Sequence, residues 1–327
     1  MVFLNFGHAG VDFFFVLSGF IIFFVHAKDL GKPGSLAHYA QRRFTRIYPF
    51  YWFVVLVSLL LAMAGRSGAN LDFPGVLLSA TLSPTATDLL VGVAWTLQHE
   101  VIFYLIFSVA IVHAGFGRVL LGSWFCAIVA QWLFGFSENP GPLLGNLLSP
   151  FNIEFFFGMF AAWLALKLGN RGVPPSIMFS EGKRWLVSDM YLLGGALFFA
   201  AFAVAEDFDL IDGYDKNARL AYGLSSLFIV LGLVGMREIK GLLGAALQKL
   251  GEASYSIYLT HYIFIGIIYK TMEYLGIFNA VLPSITYIVM TAAGILGGIA
   301  MSRWVEYPLM GFVRDRIFKR KTSKVAS

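Results

Sequence analysis

Residues 95–112 read WTLQHEVIFYLIFSVAIV, a run that is apolar except for a short polar segment near its start. A helix of about 20 apolar residues crosses the ~30 Å hydrocarbon core of a bilayer. Because backbone groups without hydrogen bonds are not tolerated in lipid, such a run is expected to be helical. The stretch therefore predicts a membrane-spanning helix, and it places an imidazole, His99, beside a carboxylate, Glu100.

The composition of the whole chain indicates a membrane protein. Of its 327 residues, 58% are hydrophobic and 13% are charged, whereas soluble domains carry about 25% charged residues. The net charge of +5 does not indicate nucleic-acid binding, because the basic residues lie between apolar runs, as membrane topology requires. A single cysteine allows no internal disulfide, and with no metal-binding motif in the sequence we expect no metal cofactor.

Nine apolar runs have the length of a membrane span. They predict an all-α, polytopic membrane helix bundle with nine transmembrane helices. We expect one transmembrane domain over residues 1–313 and a basic cytoplasmic tail over residues 314–327. The predicted spans are residues 10–27, 47–63, 92–113, 118–136, 150–167, 186–204, 219–236, 254–270 and 280–301.

The distribution of basic residues predicts the orientation. If the connection that holds Arg42, Arg43 and Arg46 is cytoplasmic, most of the 24 Lys and Arg residues fall on the cytoplasmic side, as the positive-inside rule requires. The C-terminus is then cytoplasmic and Met1 lies outside. Residues 1–9 lack the pattern of a signal peptide, so we expect a further helix to precede them in the full protein.

The segment QRRFTRIYPFYW (41–52) allows two interpretations. It can be a positive-inside anchor with interfacial aromatic residues. It can also be an anion site, because Arg43 and Arg46 are three residues apart on a helix and share a face, and a guanidinium matches phosphate oxygens. Tyr48 and Trp52 could then stack on a nucleotide base. We expect this helix to begin near Tyr48–Pro49, since proline suits a first helical turn.

The polar pair of His99 and Glu100 lies inside the predicted span 92–113. Glu100 is about 12 Å below the outer end of this span at 1.5 Å per residue, and Tyr104 lies one turn further on. Glu100 is interpreted either as an active-site carboxylate or as an interhelical hydrogen-bond partner. His99 lies on a more aromatic face of the helix. It is interpreted either as a residue that contacts substrate or as a packing histidine.

A third polar cluster, GEASYSIYLTHY (251–262), carries Tyr255, Tyr258 and His261. His261 lies near the middle of a predicted span, so it either forms an interhelical hydrogen bond or handles protons and contacts substrate. Asp12 begins the first span. Glu306 is expected to pair with Arg303, three residues earlier.

Five segments in this order resemble the acyltransferase-3 family of bacterial integral-membrane acyltransferases, from residue 7 to about residue 310. The fit is best to members that acetylate exopolysaccharides. The segments are GHAGVDFFFVLSGFII (7–22), RRFTRIYPFYW (42–52), WTLQHEVIFYL (95–105), SYSIYLTH (254–261) and VEYP (305–308).

The resemblance implies a ten-helix bundle in the bacterial inner membrane, with one helix and the family's proposed catalytic histidine upstream of residue 1. It implies transfer of an acyl group, usually acetyl from acetyl-CoA, to a sugar hydroxyl of a polysaccharide or lipid-linked glycan. Arg43 and Arg46 match the motif associated with acyl-CoA, while Glu100 and His261 match two further motif positions.

These motif positions define the expected site. Glu100 and His261 are the candidate catalytic residues. The candidates for the acyl-CoA site are Arg43, Arg46, Tyr48 and Trp52, and those for substrate contacts are Tyr255, Tyr258, Asp12 and His99. The alternative function is a secondary transporter or translocase of a glycan, in which intramembrane Glu and His relay protons. No oligomeric state is predicted.

Overall fold

A computed structural model describes the chain over residues 5–63, 72–86, 89–135, 140–169, 184–236, 239–278 and 280–318. These residues form helices and turns, with no strand among them. The helices are α1 (Gly10–His26), α2 (Leu36–Met63), α3 (Phe73–Ala80), α4 (Trp95–Val112), α5 (Ala114–Phe134), α6 (Gly141–Leu147), α7 (Phe151–Gly169), α8 (Arg184–Asp207), α9 (Lys216–Gly235), α10 (Gly241–Tyr274), α11 (Pro283–Met301) and α12 (Tyr307–Val313).

The predicted membrane spans correspond to helices of the structure. Within the described residues, 8 helices are long and apolar enough to cross a membrane, and each overlaps one predicted span. The ninth predicted span, residues 254–270, lies inside α10, a continuous helix of 34 residues. Its tyrosines, serines and histidine lower the mean hydropathy of that helix, which explains why it is not among the 8. The prediction of an all-α, polytopic membrane protein is confirmed.

One predicted helix boundary is wrong. The helix expected to begin near Tyr48–Pro49 begins at Leu36, and Pro49 lies in its interior. A proline has no N–H group, so the helix loses the hydrogen bond to the carbonyl group of Thr45, four residues earlier. The surrounding turns remain helical, and Arg43 and Arg46 therefore lie on a continuous helix.

The described chain forms two compact units. The first comprises Met1–Tyr39 with Thr96–Arg237, and the second comprises Ala40–Trp95 with Glu238–Ser327. The predicted division into a domain over residues 1–313 and a basic tail stays a prediction. The last described residues of that tail form a π-helical turn, Arg314–Phe318, and residues 319–327 lie outside the described residues.

In the first unit, α1 packs against α7 and α9. Val16, Ala161 and Val230 belong to its buried apolar core. Small residues allow the helix backbones to approach closely: a Cβ atom added at Gly19 would collide with the carbonyl oxygen of Phe155, and one at Gly158 with that of Val16. Such contacts between small residues are typical of helix pairs in membranes.

In the second unit, α10 packs along α11. Gly298 faces the backbone of Ile257, and Gly294 faces the Cβ atom of His261. A π-helical turn, Ser302–Glu306, joins α11 to α12. This packing places the polar residues of α10 beside the turn that carries Glu306.

Candidate active site

Arg46 is the best-defined residue of the predicted acyl-CoA site. Its Nη1 donates to Oε1 of Glu306 at 2.9 Å, and its Cζ atom lies 5.0 Å from the centre of the Tyr255 ring, within the range of a cation–π contact. The Arg46 side chain is 39% exposed, whereas Glu306 is fully buried. Arg43, one turn earlier on α2, is half-buried. The guanidinium of Arg46 is thus held by Glu306 and Tyr255, while more than a third of the side chain stays exposed.

The expected pair between Glu306 and Arg303 is wrong, because Glu306 pairs with Arg46 instead. The cause is the π-helical turn over Ser302–Glu306. A π-helix has more residues per turn than an α-helix, so positions three apart no longer share a face. Arg303 is accordingly exposed while Glu306 is buried.

Tyr48 and Trp52 support the end of α3. The Tyr48 hydroxyl donates to the carbonyl oxygen of Thr81 at 3.2 Å, and the Trp52 Nε1 donates to that of Ala80 at 2.9 Å. These bonds satisfy carbonyl groups that a helix C-terminus leaves unpaired. Trp52 is 45% exposed, so its ring has accessible surface, and its predicted stacking on a nucleotide base stays a prediction.

His261 has a defined orientation on α10. Its Nδ1 lies 2.7 Å from the carbonyl oxygen of Tyr258 and 3.2 Å from that of Ile257. Carbonyl oxygens only accept hydrogen bonds, so Nδ1 carries a proton, and Nε2 of the neutral ring is an acceptor. The half-buried ring packs on that of Tyr262, with the ring centres 4.4 Å apart. This geometry suits a group that accepts a proton through Nε2.

The two tyrosines predicted to contact substrate both bond to the backbone of other segments. The Tyr255 hydroxyl donates to the carbonyl oxygen of Ile47 at 2.8 Å, and the Tyr258 hydroxyl donates to that of Val93 at 2.8 Å. Tyr255 is buried, whereas Tyr258 is half-buried. Both tyrosines thus tie α10 to neighbouring segments of the second unit, and their contact with substrate stays a prediction.

In the first unit, Glu100 is a buried carboxylate with two hydroxyl donors. Ser18 on α1 donates to its Oε1 at 2.7 Å, and Tyr104 donates to the same atom at 2.9 Å. Tyr104 lies one turn along α4, where helical periodicity placed it. Glu100 is therefore held in one orientation by its neighbours.

His99 is 3% exposed and packs among aromatic rings. Its Nδ1 lies 3.1 Å from Oδ1 of Asn152, and its ring meets that of Phe15 edge-on at 5.8 Å. The Asn152 amide nitrogen donates to the carbonyl oxygens of Asn146 and Leu147, which fixes its Oδ1 as the acceptor for His99. These contacts are those of a packing histidine; the predicted substrate contact of His99 is untested.

Asp12 forms a buried ion pair that the sequence did not reveal. Its Oδ2 accepts from Nη1 of Arg219 at 2.8 Å, and their side chains are 0% and 7% exposed. The Glu154 carboxyl, also fully buried, adjoins that of Asp12. One feature of the sequence could have indicated that Arg219 has a buried partner. Arg219 stands at the start of a predicted span, and a charge within a span needs a counter-charge.

A second carboxylate network of the first unit was also missed. His8 Nε2 lies 2.6 Å from Oε1 of Glu206, and the Tyr222 hydroxyl donates to Oε2 of Glu206 at 2.7 Å. The His8 ring packs on that of Tyr214, with centres 4.4 Å apart. Each of these residues is separated from its partner by a long stretch of chain or by a turn, so no local spacing could predict the network.

The predicted site residues divide between the two units. Glu100, Asp12 and His99 belong to the first unit, whereas those on α2 and α10 belong to the second. Within the second unit, three segments that are distant in sequence meet: Arg46 of 42–52, Tyr255 of 254–261 and Glu306 of 305–308. No group of His, Cys, Asp and Glu side chains that could hold a metal ion occurs in the described part of the chain.

Comparison with known proteins points to one family. Residues 1–303 match the family Acyl_transf_3, described as an acyltransferase domain. The chain is also similar to the exopolysaccharide production protein ExoZ of Rhizobium meliloti (strain 1021). The two are 28% identical over 327 aligned residues, which cover 95% of this chain and 92% of that protein. No solved structure matches the chain.

Proposed function

The chain belongs to the Acyl_transf_3 family of acyltransferases, and on this premise we propose that it transfers an acetyl group from cytoplasmic acetyl-CoA to a sugar hydroxyl of an exported polysaccharide. The protein is a multi-pass membrane acyltransferase, consistent with its apolar helices. We place it in the bacterial inner membrane with a cytoplasmic C-terminus, on the basis of the positive-inside rule. The similarity to an exopolysaccharide production protein supports a polysaccharide as the acceptor.

The observation that carries the donor half of the proposal is the geometry of Arg46. Coenzyme A carries several phosphates, and an arginine that is held in place but still partly exposed can bind a phosphate through its remaining N–H groups. Arg46 meets this description, because Glu306 and Tyr255 hold it while 39% of its side chain is exposed. Arg43, on the same helix, adds a second positive charge.

Acyl transfer requires that the sugar hydroxyl lose its proton as its oxygen attacks the thioester carbon. The carbon–oxygen bond of the ester forms, the carbon–sulfur bond breaks, and the CoA thiolate leaves and is protonated. A positioned base assists such an attack. We assign proton handling to His261, through Nε2, on its hydrogen bonds in the second unit. We assign a catalytic role to Glu100 as an oriented carboxylate, on its hydrogen bonds in the first unit.

The proposal is tested with membranes that contain the full chain, labelled acetyl-CoA and the matching polysaccharide isolated without its acetyl groups. We expect label to appear in the polysaccharide. Arg46→Ala should reduce the transfer at sub-saturating acetyl-CoA by at least tenfold, while Arg42→Ala should not, because Arg42 is an exposed neighbour on the same helix. Protein amounts in the membrane are compared by immunoblot.

Two results would contradict the proposal. Equal transfer by Arg46→Ala and by the parent protein would remove Arg46 from the donor site. Ion-gradient-driven movement of the glycan, with no requirement for acetyl-CoA, would instead favour a transporter.

A further inference from the structure

The segment VEYP (305–308) takes part in no step of the proposed reaction, yet its glutamate is among the most completely buried charged groups of the second unit. Glu306 is 0% exposed. Its Oε2 accepts from Ser256 Oγ at 2.6 Å and from Ser302 Oγ at 3.1 Å, and its Oε1 accepts from Arg46 at 2.9 Å. A carboxylate buried in this way is stable only if its oxygens are paired, and here both are.

We propose that Glu306 is a positioning residue that orients the Arg46 guanidinium for the phosphate groups of the acyl-CoA donor. The two serine hydroxyls come from different elements, α10 and the π-helical turn, and both bind Oε2. They fix the plane of the carboxylate and direct Oε1 toward Arg46. This inference rests on the proposed function, because it takes acyl-CoA as the ligand of Arg46.

The π-helical turn carries both Ser302 and Glu306. Ser302 and Glu306 are four residues apart within it, and the wider turn brings both side chains to the buried face, while Arg303 between them is exposed. Single π-helical turns inserted in α-helices occur frequently at functional sites. In this chain the carboxylate of the turn, Glu306, pairs with Arg46 on α2 and not with an arginine of its own helix.

An arginine side chain has several rotatable bonds, and an unrestrained one loses much freedom when it binds a ligand. Arg46 is restrained before any ligand arrives: Glu306 holds Nη1, and the Tyr255 ring lies under the guanidinium at 5.0 Å. A guanidinium has five N–H donors, so the exposed part of Arg46 retains donors for an anion. Restraint of this kind improves affinity by lowering the entropic cost of binding.

The opposing effect of Glu306 is electrostatic. Its negative charge reduces the net positive potential at Arg46 and so weakens the attraction for phosphate. If this effect dominated, removal of the charge would tighten donor binding. The two roles therefore predict opposite changes in the KM for acetyl-CoA, which makes them separable.

The experiment measures initial rates of acetyl transfer against acetyl-CoA concentration, in membranes with the full chain. For Glu306→Gln we expect the KM to rise at least fivefold and the kcat to stay within threefold. Glu306→Asp, which keeps the charge, should recover part of the difference. Glu252→Gln is the matched control, because Glu252 is an exposed carboxylate on α10, and its KM should equal that of the parent.

A second arm places Glu306→Gln in an Arg46→Ala background. If Glu306 acts through Arg46, the double variant should have the KM of Arg46→Ala alone. A KM that falls in Glu306→Gln, or a Glu306 effect that persists without Arg46, overturns the positioning role. If Arg46→Ala itself leaves the KM unchanged, the donor assignment of the proposed function fails, a result that is distinct from a failure of Glu306 alone.

Discussion

The buried carboxyl pair of the first unit predicts a strongly non-additive response to mutation. Asp12 and Arg219 are joined at 2.8 Å with side chains 0% and 7% exposed. Glu154 is fully buried, and its carboxyl contacts that of Asp12 without a hydrogen bond to the Arg219 guanidinium. It adjoins Asp12 and lies within the electrostatic reach of Arg219. Arg219 therefore has one carboxylate bonded to it, that of Asp12, and a second one nearby, that of Glu154, which can replace the first as counter-ion.

We expect Glu154→Gln to change the free energy of unfolding by no more than about 1 kcal/mol, because an amide has the same shape, can still bond to Asp12, and the carboxyl makes no hydrogen bond to Arg219. In Asp12→Asn, the Glu154 carboxylate becomes the counter-ion of Arg219, and the loss should be about 1.5–3 kcal/mol, the contribution of one hydrogen bond to a charged group. The double variant leaves Arg219 buried without a carboxylate beside it, which costs about 3–5 kcal/mol.

The measurement is reversible unfolding of the purified protein in detergent, for the parent, the two single variants and the double variant. Asp209→Asn is the control: it makes the same chemical change at an exposed residue, and its positive φ of 56° is one that Asn tolerates. Additive effects of Asp12→Asn and Glu154→Gln would refute the exchange of counter-ions. The exchange would also be refuted if Asp12→Asn lowered the free energy of unfolding as much as the double variant does.

Three further predictions follow from the contacts. Gly19→Ala and Gly158→Ala should each lower the free energy of unfolding by about 1–3 kcal/mol, because the added methyl group meets backbone atoms of a neighbouring helix. Gly122→Ala is the control: its methyl group meets nothing within 4 Å, so it should be neutral or stabilising in the same unfolding assay. Tyr104→Phe removes one donor from Glu100, and a loss of about 1.5 kcal/mol of charge-assisted bonding should lower the acetyl-transfer rate about tenfold at unchanged protein level. His261→Asn keeps an N–H group near the position of Nδ1 and removes Nε2, so folding should survive while kcat falls by about 10² or more; a rate equal to that of the parent would exclude His261 from proton handling.

The sequence predicts those features that depend on local spacing. Apolar runs of about 20 residues follow from the thickness of the bilayer, so eight predicted spans coincide with helices that are long and apolar enough to cross it. The hydrogen bond that Tyr104 donates to Glu100 follows from helical periodicity, because four residues make about one turn. Each of these inferences uses information carried within a single helix.

The contacts that the sequence does not predict join distant parts of the chain. Arg46 and Glu306 are 260 positions apart, and Asp12 and Arg219 are 207 positions apart. For Glu306, the local rule even gives the wrong partner, because it assumes an α-helix where the chain forms a π-helical turn. A single sequence does not show which distant residues pair. The resemblance to a family indicates the segments involved, but not which of their residues meet.

Two Arg–carboxylate pairs, one in each unit, differ in what they leave available to a ligand. In the pair of Arg219 with Asp12 both side chains are buried, so the guanidinium serves to compensate charge inside the helix bundle. In the pair of Arg46 with Glu306 the carboxylate is equally buried, but the guanidinium is 39% exposed. The residue types are the same, so burial alone separates them: an arginine can act on a ligand only if part of its fork remains accessible after its counter-ion is satisfied. On this criterion we propose Arg46 for the donor site, and we propose no part in donor binding for the buried Arg219.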